Sequence, residues 1–133
     1  MTTQTKKRKD TLTETRKVRA AGGVRRRASV VILEGPDAGQ EYLLEKAVSV
    51  VGRVKGVDIL LSDSAVSRRH AAIEAEKGVF RLKDLGSTNG TMLSGRKIRE
   101  ASIRHGDRFR VGNTTLQFVV EEREGSGPVY VLK

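Results

Sequence analysis

Three short segments of the chain carry the residue types that grip an anion. Gly52-Arg53 follows the apolar run 48–51, Ser67-Arg68-Arg69-His70 lies between two apolar runs, and Gly86-Ser87-Thr88-Asn89-Gly90-Thr91 follows Asp84-Leu85. Their polar side chains break the alternation on either side. A phosphate dianion needs such a set. Arginine offers a charged bidentate fork, hydroxyls make short hydrogen bonds, and glycine lets backbone amides approach closely. Taken singly these signals are weak. A lone arginine is usually solvated, Ser67 suits an ordinary turn, and Asn89-Gly90 is a common hairpin pair. Their weight comes from occurring together.

Other chemistries fit less well. Ser67, His70 and Asp84 can be written as a catalytic triad, but Gly-x-Ser-x-Gly is absent. A serine and a histidine three apart in one loop rarely present nucleophile to base. A phosphatase needs a nucleophile or clustered carboxylates, and the sequence has no such group near these segments. Two histidines and no cysteine provide no usual metal-ligand set. The expectation is a protein without enzymatic activity, metal or cofactor. His105-Gly106-Asp107 reads as a turn.

The net charge of +10 suggests a nucleic-acid partner until it is located along the chain. Residues 1–27 hold ten Lys/Arg against two Asp/Glu, a balance of +8, which leaves sixteen against fourteen, or +2, for the rest. The field belongs to the tail. Leu12, Val18 and Val24 are its only large aliphatics after Met1, too few to offset ordering entropy, so residues 1–27 are expected to form a disordered basic tail. Nucleic acid is an alternative partner through that tail only, and without aromatic residues to stack bases such binding is expected to be non-specific. Lys6-Lys7-Arg8-Lys9 is not followed by an apolar stretch, and no run approaches a membrane span. A cytoplasmic protein with no membrane partner is the expectation.

The elements that must position the three segments read as strands. Val30-Val31-Ile32-Leu33 opens ordered structure near Ala28, and residues 40–44 return after the turn Glu34-Gly35-Pro36-Asp37-Ala38-Gly39. Residues 48–51 and 57–61 are short aliphatic strands. Ala71, Ile73 and Ala75 share one face of residues 70–76 while His70, Glu74 and Glu76 share the other. Phe80 and Leu82, Phe109 and Val111, and Leu116, Phe118 and Val120 alternate in the same way. Period two recurs, and no segment sustains a helical period, so the chain is expected to be all-β, an antiparallel sandwich over residues 28–120. Residues 121–133 form a charged C-terminal extension ending in Val129-Tyr130-Val131-Leu132.

Gly52-Arg53, Ser67-x-x-His70 and Ser87-Thr88-Asn89-Gly90-Thr91, in this order and spacing, resemble the signature of the forkhead-associated (FHA) domain. Asp58, Asp84 and Leu85 also fall where that family commonly has such residues. The resemblance implies a β-sandwich of about eleven strands, of the FHA/SMAD-like type, that binds phosphothreonine peptides on its loops. It implies that Arg53, Ser67, Arg68 and Thr88 bind the phosphate and that Asn89 holds the peptide backbone. Gly52, His70 and Gly90 would support the site, Gly52 by permitting a turn and His70 by bracing the binding loop. Lys55, Arg69 and Ser94 are candidates for reading the residue three positions after the phosphothreonine.

This resemblance makes the protein a phosphothreonine-binding adaptor or regulator, bacterial in style, acting downstream of a Ser/Thr protein kinase. Its partners would be that kinase and a phosphothreonine-containing protein. Thr11, Thr13 and Thr15 are candidate phosphorylation sites, because small bacterial FHA regulators carry a tail threonine that, once phosphorylated, folds back onto the domain. Arg16 stands where such tails have a second threonine.

Overall fold

The computed structural model of the protein describes residues 24–124, and eleven strands and no helix run through them. In chain order they are β1 (Val24–Glu34), β2 (Glu41–Leu43), β3 (Val48–Gly52), β4 (Ile59–Leu60), β5 (Ala71–Glu76), β6 (Val79–Asp84), β7 (Thr91–Leu93), β8 (Arg96–Ile98), β9 (Glu100–Ile103), β10 (Arg108–Val111) and β11 (Thr114–Glu124). Five form a sheet in the order β9-β6-β5-β3-β4 and six form a second in the order β2-β1-β11-β10-β7-β8. Pairing is antiparallel except between β3 and β4, where Val51 faces Ile59 in parallel register. The first sheet is therefore mixed. Thr11, Thr13, Thr15 and the apolar end at 129–132 lie outside the described residues.

Alternation explains why these segments are strands with one wet face. In β10, Phe109 and Val111 are buried while Arg108 and Arg110 are exposed. Val51, Ile59, Ile73 and Leu82 from the five-stranded sheet join Ile32, Phe109, Leu116 and Phe118 from the six-stranded one in a single core. Each such side chain contributes roughly 1.5–3 kcal/mol when fully buried. Phe80 and Phe118 meet between the sheets with ring centroids 4.9 Å apart and planes tilted by 54°, a favourable aromatic geometry.

Three strands differ from the sequence expectation. β7, β8 and β9 are three or four residues long, and the segment from Arg96 to Glu100 has Ile98 as its one apolar residue. β8 and β9 are the outer strands of their sheets, where one neighbour and little burial are enough. The first strand also starts at Val24, four residues before Ala28, and β11 continues to Glu124. Outside the compact unit Ala28–Val120, Arg26 Nε donates to Glu122 Oε2 at 3.1 Å.

Strand register places the three polar segments. Val51, Ala71 and Asp84 lie side by side across β3, β5 and β6. Gly52-Arg53, His70 and Leu85-Gly86 therefore emerge at the same end of one sheet.

Candidate functional site

At that end lies an open cavity of about 460 Å³. Arg53, Ser67, Arg68, Thr88 and Asn89, the five candidate ligand-binding residues, all line it, together with Arg69, Gly86 and residues 64–66. The lining contains three arginines and no carboxylate.

Gly52 is required here for close approach rather than for a turn. A Cβ at this position would stand 1.9 Å from the Arg68 carbonyl oxygen, so any other residue would force the two loops apart. In their present positions the Arg53 amide donates to the Ser67 and Arg68 carbonyls at 3.2 and 3.0 Å. Arg53 Nε donates to the Val66 carbonyl at 2.7 Å. That bond fixes the guanidinium plane and leaves its two terminal amino groups for a ligand.

His70 is fully buried. Its Nδ1 accepts the Ser67 amide at 3.0 Å, so Nε2 carries the ring proton and donates to the Gly90 carbonyl at 2.8 Å. One imidazole thus ties the loop before β5 to the loop before β7. Both ring nitrogens are occupied by backbone, and Asp84 bonds elsewhere, so Ser67, His70 and Asp84 do not form a nucleophile–base relay.

The hydroxyl of Ser67 accepts the Thr88 amide at 3.0 Å, which leaves its own proton to donate to an anion. With its amide engaged, Thr88 can offer its exposed hydroxyl. Asn89 Nδ2 reaches across to the Ala65 carbonyl at 2.8 Å, so its amide oxygen remains to accept a peptide N–H. Gly90, at φ +83°, takes a backbone conformation that a side chain would strain. Its amide donates to Ser87 Oγ at 2.8 Å.

Two carboxylates hold the loops. Asp84 accepts the amides of Gly86 and Ser87 and the hydroxyls of Ser87 and Thr91. Its burial works against the charge, but these donors outweigh it and hold its pKa below the ordinary aspartate value. Asp63, almost fully buried, accepts the Ala65 amide at 2.9 Å, the Asn113 amide at 2.7 Å and the Thr114 hydroxyl at 2.8 Å. Here too burial opposes ionisation, and the donors, with Arg110 nearby, bring the pKa down. Asp63 was not legible in the sequence, where Ser62-Asp63-Ser64 reads as an ordinary polar turn. Asp58 secures the start of the Arg53 loop differently. Lys46 at 2.7 Å and the Val50 amide at 2.8 Å lower its pKa.

Of the three candidates for reading a flanking residue, Arg69 lines the cavity and Lys55 is exposed on the loop after Arg53 without lining it. Ser94 follows β7 at the end away from Gly90 and lines a separate depression of about 200 Å³ with Met92, Arg108 and Phe109. Among the described residues no group of three or more His, Cys, Asp or Glu is arranged to hold a metal, and no helix is long and apolar enough to cross a membrane.

A two-sheet sandwich whose Gly-Arg, Ser-x-x-His and Ser-Thr-Asn-Gly-Thr loops meet at one end defines the forkhead-associated class, and the chain belongs to that family. A related family model, described as the cytoplasmic domain of an inner membrane component of T3SS, matches residues 31–122. The chain is similar to the glycogen accumulation regulator GarA of Mycobacterium tuberculosis, at 37% identity over 98 residues, 74% of this chain. That match spans 60% of the relative's length. The FHA domain of FhaA, solved in complex with the intracellular domain of another protein, is 30% identical with a TM-score of 0.63, over 68% of this chain and 98% of that one. An FHA domain studied for phosphothreonine-dependent interactions is 27% identical with a TM-score of 0.65, over 77% of this chain and 99% of that one.

Proposed function

We propose that the Ala28–Val120 unit binds phosphothreonine peptides in the cavity formed by Arg53, Ser67, Arg68, Thr88 and Asn89, and that the protein is a non-enzymatic, cytoplasmic adaptor or regulator downstream of a Ser/Thr protein kinase. The observation that carries this reading is the set of uncommitted donors on one cleft. The terminal amino groups of Arg53, the hydroxyl proton of Ser67, the Arg68 guanidinium and the Thr88 hydroxyl have no acceptor among the described residues. A phosphate dianion supplies the acceptors, and its second pKa near 6 keeps it mostly dianionic at neutral pH. Similarity to a regulator and to an FHA domain with phosphothreonine-dependent interactions supports the same reading. Arg53→Ala is expected to weaken binding of a phosphothreonine peptide by about 100-fold or more, since it removes a charge-assisted fork. Calorimetry on the folded variant checks this, and normal affinity would refute the site.

The tail supplies a level of regulation in this proposal. Nine residue steps separate Thr15 from Val24, where β1 begins; as coil such a stretch spans roughly 17 Å, and tethering sets an effective concentration near millimolar. Phosphorylation of Thr11, Thr13 or Thr15 then lets the tail occupy its own cleft. Mass spectrometry after treatment with the kinase, paired with a competition assay, tests this. Absence of phosphate on all three threonines, or unchanged binding of an external phosphopeptide, rules it out.

A further inference from the structure

Ser94 stands away from the phosphate cleft, and the depression of about 200 Å³ that it lines lies on the outer face of the six-stranded sheet. Phe109 and Val111 of β10 are buried in the core, so Arg108 and Arg110 stand on the opposite, exposed face. Met92 of β7 and Thr115 of β11 flank Arg110 in register. The Ser94 amide donates to the Arg108 carbonyl at 3.2 Å. All five residues line the depression, and no carboxylate does.

An exposed cation alone is no site, because a long side chain in water has no fixed direction. Arg110 has one. Its Nε donates to the Gly112 carbonyl at 3.0 Å, which orients the guanidinium and leaves its two terminal amino groups for an acceptor. Among the described residues of the Ala28–Val120 unit, Arg53 and Arg110 are the arginines tied by Nε to a backbone carbonyl, whereas Arg81 uses its Nε on Glu100. Asp63 lies near Arg110 but already accepts two amides and a hydroxyl, and Arg110 donates nothing to it. Arg108 stands two positions along the same strand, about 7 Å away. Ser94 adds a hydroxyl with no partner among the described residues. The Thr115 hydroxyl is spent on Glu34 at 3.1 Å, so Thr115 and Met92 serve as walls.

We infer that this depression is a second ligand site, for a compact organic dianion, a phosphate monoester or a short dicarboxylate, held by Arg108 and Arg110 with Ser94 donating its hydroxyl. Two guanidinium forks on one face match two negative charges. The Met92 thioether offers an apolar wall to the carbon atoms that carry them. The volume lies below the roughly 300–1,000 Å³ of pockets for drug-sized ligands, which keeps the ligand small. The site shares no residue with the phosphothreonine cleft and stands independently of that reading.

The test is a nuclear magnetic resonance titration of the full chain with glycerol 3-phosphate, with succinate and, as a monoanion, with acetate, all at constant ionic strength. A dianion is expected to shift the amides of Ser94, Gly95, Arg110 and Thr115 saturably and to bind about tenfold tighter than acetate. Arg110→Gln and Arg108→Gln should each weaken that binding about tenfold, while Arg53→Ala should leave it unchanged. Arg108 makes no side-chain bond among the described residues, so Arg108→Gln decides the matter even if Arg110→Gln unfolds. The tighter of the two dianions identifies the source as phosphate or carboxylate. The inference is overturned if neither dianion gives a saturable shift, if the shifts are confined to residues 87–91, or if acetate binds as tightly. An affinity that Arg108→Gln leaves intact overturns it too. None of these outcomes touches the phosphothreonine reading, which Arg53→Ala tests with its own peptide.

Discussion

The loops that meet across the cleft are each organised by an aspartate, and the two aspartates find their donors at different distances along the chain. Asp84 takes its hydrogen bonds from Gly86, Ser87 and Thr91, all within seven residues. Asp63 takes one from Ala65, two residues on, and two from Asn113 and Thr114, 50 and 51 residues away. The first loop is closed by its own sequence. The second is fastened to the turn between β10 and β11, in the other sheet, so its shape depends on how the sandwich closes. His70 then couples the two through Ser67 and Gly90.

Breaking the remote fastening should cost more than breaking the local one. Asp63→Ala strands the fully buried Thr114 hydroxyl and two amides, and is expected to destabilise the domain by about 3 kcal/mol, since each unsatisfied buried group costs about 1–3 kcal/mol. Asp84→Ala strands the buried Thr91 hydroxyl but leaves its loop amides nearer to water, for an expected loss of about 2 kcal/mol. Urea denaturation of the two variants measures both. Hydrogen exchange sharpens the contrast. Asp84→Ala should lose protection in residues 86–91 alone, while Asp63→Ala should lose it at Ala65 and at Asn113 together. The same pattern in both variants would remove the distinction between a self-closed and a remotely fastened loop.

A smaller effect comes from acid. Both carboxylates have pKa values below the ordinary 3.8, so between the folded and ordinary values the unfolded chain binds more protons than the folded one. Their contribution is complete above the ordinary value and is lost as pH falls through it toward the folded value. Melting temperature should therefore decline more steeply below about pH 4 in the parent than in Asp63→Asn or Asp84→Asn. Identical slopes would show that neither carboxylate titrates with folding.

How far the fold could be read depended on burial. β5, β6, β10 and β11 announce themselves because a half-buried strand must alternate, as Phe109 and Val111 do with Arg108 and Arg110. β7, β8 and β9 do not, because outer or very short strands need few apolar residues, and Arg96-Lys97-Ile98 looks like a loop. The parallel pairing of β3 with β4 also left no mark, since a two-residue strand carries no period.

The sequence by itself determined the chemistry of the site: arginine, hydroxyls, amide and glycine in three segments, and an Asp84 loop whose donors are its own neighbours. Only the tertiary structure decided how these segments meet. The register of Val51, Ala71 and Asp84 brings them to one end, the approach of Gly52 to Arg68 sets their spacing, and Asp63 joins from a place no local pattern marks. The reason is physical. Hydrogen bonds within a few residues follow from local residue types, whereas a contact spanning fifty residues exists only after the core has packed.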